Sequence, residues 1–160
     1  MKKQQAMTEA EIVKILTKFA EEQGYKLDTG WRGQPRINFT KHKIQINASE
    51  LSLYHLLHEV AHVLLGTFDS TGNETAKNEV LAESISIVVR KVLGFAPHPL
   101  DEIYVAAWLS RTGMSREAFF DMYGSIIEQH AKAIIRRIEQ DDACSNPACE
   151  QQRCLVGSLS

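Results

Sequence analysis

Apolar residues recur at helical spacing along most of this chain and alternate with polar ones in one short region. Ile12, Ile15, Leu16 and Phe19 fall three or four apart behind Thr8-Glu9-Ala10-Glu11, a capping-box pattern, so a helix is expected from there to Gly24. Arg36-Ile37-Asn38-Phe39-Thr40 and Lys43-Ile44-Gln45-Ile46-Asn47 alternate instead across a Lys41-His42 link, which predicts a β-hairpin. From Leu51 to Leu65 the apolar positions close round almost the whole circumference of a helix, so that helix should be buried, with Ser49 placed to cap it. A polar loop through Asp69 and Gly72 leads into a second largely apolar helix carrying Val80, Leu81, Ile85, Val88 and Val89, which closes near Gly94. Pro97 and Pro99 punctuate the chain before a helix from about Leu100 to Ser110, and Ser115 opens a last long one to about Gln140. The pattern predicts an α+β fold, mostly helical, with a small β-hairpin or sheet beside the helix of residues 51–65.

Four ionisable residues break the apolar surface of that helix. His55, His58, Glu59 and His62 stand at three- and four-residue spacing and form one stripe, and ionisable groups on a buried helix are costly unless paired or metal-bound. His58-Glu59-Val60-Ala61-His62 is an H-E-x-x-H motif: the two imidazoles reach one point and the Glu sits beside it, the arrangement of zinc hydrolases. A core histidine pair with a surface Glu accounts for any one of these residues but not for the stripe. His55 packs near the site without binding metal, because ligation three residues apart competes poorly with the better His58–His62 pair.

A zinc site needs a further protein ligand and an open position for water. Glu79 and Glu83 lie four apart on the next helix, so one can bind the metal while the other hydrogen-bonds and orients a ligating His. Glu79 is the preferred ligand; the reverse assignment stays open, since sequence does not set the rotation of the helix. Glu59 is then the general base that takes a proton from a zinc-bound water, and Tyr104 or His98 are candidate donors to the developing oxyanion. An edge strand at 43–47 would pair with the extended substrate backbone, or the hairpin merely caps the helical core.

Composition narrows the partners. At 160 residues with a net charge of −2 the chain suits one compact domain over residues 1–140 and favours no nucleic-acid partner, although Lys41-His42-Lys43 and Arg136-Arg137 form local basic patches. No apolar run reaches the ~18 residues of a membrane span and no signal-peptide core follows Met1, so a cytoplasmic protein without membrane contact is expected. Cys144, Cys149 and Cys154 recur every five residues in a polar tail, 141–160, where reduced thiols in a flexible segment fit better than a second metal site.

Tyr54 to His62, Asn78 to Glu83 and Tyr104 to Leu109 together resemble, in order, the zincin-like metallopeptidase domain of ArdC-type antirestriction proteins over roughly residues 36–140. Ile44-Gln45-Ile46-Asn47 leading into the His helix is similar to the wider ImmA/IrrE group. The resemblance implies a zincin-like fold and a Zn2+-dependent peptidase acting on a protein or peptide substrate. Two further classes stand beside it: a non-catalytic zincin-like accessory protein that acts by binding in antirestriction or DNA processing, and a nucleic-acid-associated protein using the basic patches. The single-stranded-DNA-binding domain that precedes the peptidase domain in ArdC-type proteins finds no room in these residues.

Overall fold

A computed structural model describes residues 7–66 and 73–144. Its elements run α1 (Glu9–Glu22), β1 (Lys26–Asp28), β2 (Arg36–Asn38), β3 (Lys43–Gln45), α2 (Leu53–Leu65), α3 (Asn73–Val92), α4 (Asp101–Leu109) and α5 (Arg116–Cys144). Among the described residues this is an α+β chain, mostly helical, with one small sheet. No helix among the described residues is long and apolar enough to cross a membrane.

The helix ends follow local chemistry. Thr8 and Glu11 complete the expected capping box, the Thr8 N–H donating to Glu11 Oε2 at 2.7 Å and the Glu11 N–H to Thr8 Oγ1 at 3.3 Å. Gly24, at φ 89°, ends α1: Tyr25 N–H reaches back to Ala20 O at 2.9 Å and Gly24 N–H to Glu21 O at 2.9 Å, a Schellman closure that puts apolar Tyr25 under the helix. α2 is capped by Ser52, whose hydroxyl accepts from His55 N–H, and not by Ser49, which is engaged instead in a turn around the Asn47 side chain. Glu9 Oε1 also accepts from Leu53 N–H at 2.9 Å, so a carboxylate from α1 satisfies a free donor at the start of α2.

The sheet corrects the strand assignment. β2 and β3 form the expected antiparallel pair with Ile37 opposite Ile44, but β1 pairs parallel to the other side of β3, giving the order β1-β3-β2. β3 is therefore the central strand and not the edge expected for residues 43–47, and β2 is the edge that packs on α2. The reason is burial: Ile44 and Ile46 are 0 % exposed, and a strand so covered gains most when both ladders are satisfied. β1 escaped notice because three residues are too few to show an alternation.

The core joins α1, α2, α3 and α5 through Ile12, Leu16, Leu56, Leu57, Ile85, Phe119 and Ile134. α3 is the hub, packed on α2, α4 and α5. Burial of both α2 and α3 sets their polar stripes against each other. α5 runs to Cys144, into the segment expected as tail; Cys149 and Cys154 lie outside the described residues.

Candidate metal centre

Because α2 and α3 are both largely apolar, each directs its polar stripe into the seam between them, where a cleft of about 490 Å³ opens. His58, Glu59 and His62 come from α2, Glu79 and Glu83 from α3, and Tyr104 from α4, and all six line that cleft. His58 Nε2 and His62 Nε2 are 3.1 Å apart. The Glu79 carboxylate faces both, Oε2 at 3.3 Å from His58 Nε2 and Oε1 at 3.3 Å from His62 Nε2. Two imidazole nitrogens so close require a proton or a cation between them.

His58, His62 and Glu79 form a group that could hold a metal ion, their donor atoms all within 4.8 Å of one another. The donor set fits a borderline-soft divalent cation. Donors placed about 2.0–2.1 Å from a tetrahedral zinc stand about 3.3 Å apart, which matches the spacings here. The orientation of the His58 ring is compatible with this: Nδ1 donates to Glu83 Oε2 at 2.8 Å, which leaves the Nε2 lone pair facing the group when the ring is neutral. Glu83 thus reaches the far side of His58, and Glu79 faces the point where both Nε2 atoms converge.

Tyr104 donates its hydroxyl to Glu79 Oε2 at 2.7 Å, its ring edge-on to His58 at 5.7 Å between centroids. Burial together with the Glu79 charge holds its phenol well above the usual tyrosine range. His98 is not brought into the cleft lining: it stacks on Tyr54 at 4.0 Å, and its Nδ1 accepts from Leu100 N–H at 3.2 Å. His55 Nδ1 is hydrogen-bonded to Glu50 O at 2.7 Å and lies outside the donor group.

Electrostatics follow from the packing. Burial alone would push His58 down, but hydrogen bonds to the Glu79 and Glu83 carboxylates and nearby negative charge outweigh it, and the group is pushed up to about 10. Burial would raise Glu79, yet the two histidines hold it well below the usual carboxylate range. Glu59, 6 % exposed, is pushed up because burial outweighs the stabilising charges of His58 and His62.

A buried ion network supports this floor and has no counterpart in the sequence reading. Arg90, 5 % exposed, holds Asp101 with Nη2–Oδ1 at 2.7 Å and Nη1–Oδ2 at 3.2 Å, and its Nη2 lies 3.5 Å from Glu83 Oε1. Asp101 Oδ2 also accepts from His98 N–H at 2.9 Å, fixing the start of α4. The signal was present: Glu79, Glu83, Ser86 and Arg90 recur at four, three and four residues, a polar stripe on α3 matching that on α2. Arg90 adjoins Lys91 at the helix end, where cations ordinarily face the dipole from solvent, and that hides it.

Compared with protein-family models, curated proteins and solved structures, the chain finds no match.

Proposed function

We propose that the chain is a zinc-dependent metallopeptidase with a zincin-like site. The observation that carries this reading is the convergence of His58 Nε2, His62 Nε2 and the Glu79 carboxylate at 3.1 to 3.3 Å in a cleft that also holds a buried Glu59. His58, His62 and Glu79 would hold the zinc, which supplies a polarised carbonyl and a bound water whose pKa falls towards ~7. Glu59 takes the proton of the attacking water and delivers it to the leaving amine; its burial raises its basicity towards that task. Glu83 fixes the His58 tautomer, and Tyr104 holds Glu79 in place; its one O–H would have to turn from Glu79 to donate to a developing oxyanion. β2, the edge strand beside α2, offers its unpaired ladder to an extended substrate backbone.

The test compares cells expressing the native chain with cells expressing Glu59→Gln. The variant should keep stoichiometric zinc and its fold while new protein termini appear only with the native chain. Identical termini in both would remove the peptidase reading and leave a binding role.

A further inference from the structure

Both tryptophans of the chain carry an arginine on the ring. The Arg36 guanidinium carbon stands 4.2 Å from the Trp31 ring centre, and that of Arg111 stands 4.6 Å from the Trp108 ring centre. Arg36 and Trp108 line the metal cleft, one from the β2 wall and one from the α4 wall. Among the described residues no carboxylate is ion-paired with Arg36 or Arg111, whereas Arg90, Arg116 and Arg137 all have such partners.

Arg36 is exposed, yet it is held. Its Nε donates to Gln45 Oε1 at 3.1 Å; Gln45 is 6 % exposed and bonded in turn to Asp28 Oδ2, whose charge is taken by Lys43 at 3.3 Å. Trp31 is fixed as well, donating Nε1–H to Gln34 O at 2.9 Å, and Gly33 approaches it so closely that a Cβ there would meet the ring at 2.7 Å. With Nε and one face engaged, the terminal nitrogens of Arg36 remain as a fork already oriented, the geometry that matches a carboxylate bidentately. A guanidinium fixed in this way forfeits little side-chain entropy on binding. An indole packed against a guanidinium and a backbone segment is a poor platform for stacking a nucleotide base, which needs an open aromatic face.

We propose that Arg36 and Arg111 set the substrate class of the cleft: they bind carboxylates of an acidic peptide segment lying along β2 and over Trp108. The proposal rests on the peptidase reading for the identity of the ligand as a peptide, and its own content is the charge of that peptide.

The experiment measures fluorescence anisotropy of labelled short peptides with the zinc-loaded Glu59→Gln chain, so that nothing is cut. The peptides share one neutral core flanked by Asp and Glu, by Asn and Gln, or by Lys, and labelled oligothymidylate is run beside them. The acidic peptide should bind roughly tenfold tighter than its amide counterpart, and Arg36→Gln and Arg111→Gln should each remove most of that margin, weakening the acidic peptide several-fold more than the amide peptide. Equal affinity for acidic and amide peptides, no measurable peptide binding, a margin that survives in the double variant, or tighter binding of the oligonucleotide would each overturn it. Incubating the same peptides with the Glu59-intact chain separates the two claims. Acidic peptides bound selectively but never cut would defeat the peptidase reading alone, and cutting without acidic preference would defeat this one alone.

Discussion

The floor of the cleft and its rim are both built from charged side chains, and they are held by opposite means. On the floor, Glu83, Arg90 and Asp101 are buried, His58 and Glu79 half-buried, and the five answer one another through direct contacts of 2.7 to 3.5 Å. At the rim, Arg36 stands in solvent over the Trp31 ring, and Arg111, also exposed, rests on the Trp108 ring that lines the cleft. In the low-dielectric floor each charge is tolerable only while its partners remain, so single substitutions there should be severe and coupled. In solvent a cation needs no partner, so substitutions at the rim should cost little stability and act instead on what the cleft binds.

The largest effect is expected at the convergence point. Glu79→Ala should remove most of the zinc affinity, as should loss of His58 or His62, whereas Glu83→Ala, which only frees the His58 ring, should weaken binding about 10–100-fold. Zinc dissociation constants for the variants check this. A Glu83→Ala defect equal to or larger than that of Glu79→Ala would exchange the two roles.

Next comes the network behind Glu83. Arg90→Met leaves Glu83 and Asp101 buried without their cation and should cost about 3–5 kcal/mol in urea unfolding. Arg90→Lys, which keeps the charge but not the fork, should cost less. A loss below about 1 kcal/mol for Arg90→Met would mean that water reaches the floor as freely as the rim, erasing the contrast.

If zinc binds as proposed, the floor should also make the metal-free and zinc-loaded chains respond oppositely to pH. The folded-state pKa of His58 is raised from 6.5 to about 10, so its stabilisation is full below pH 6.5 and is lost as pH rises towards 10. That of Glu79 is depressed below 4.5, so its stabilisation is present above pH 4.5 and lost as pH falls. The metal-free chain should therefore gain most from this pair between pH 4.5 and 6.5. Zinc must displace the second His58 proton, so its apparent affinity should rise with pH across 6.5 to 10, by up to about tenfold per unit. Unfolding of chelated protein and zinc titrations over this range test both signs; parallel trends would show that His58 holds no extra proton.

What the sequence made legible divides along the same line. The H-E-x-x-H stripe was readable because an apolar helix leaves its few polar residues conspicuous, and the cap at Thr8 because its partners are three residues apart. Arg90 and Asp101 meet across a helix corner eleven positions apart, and a cation beside Lys91 looks like any solvated helix end. The centrality of β3 depends on β1, three residues whose pairing is long-range and leaves no local periodicity. Glu79 and Glu83 share spacing and side chain, and only the rotation of α3 against α2 gives one the imidazole nitrogens facing the cleft and the other the far side of His58.

The smallest effect on stability, and the one that most sharpens the contrast, belongs to the rim. Arg36→Gln removes a guanidinium from a half-buried indole and the Nε donor from the buried Gln45 Oε1, and should cost about 1–2 kcal/mol, still below Arg90→Met, with zinc affinity unchanged. The Gln45–Asp28–Lys43 contacts beneath it stay intact, so the sheet keeps its register and the loss is confined to the side chain. Thermal unfolding and zinc titration of this variant beside Arg90→Met give the comparison directly. If Arg36→Gln destabilised the chain as much as Arg90→Met, Arg36 would be a structural strut of the sheet, and its open fork would no longer stand as a device for recognition.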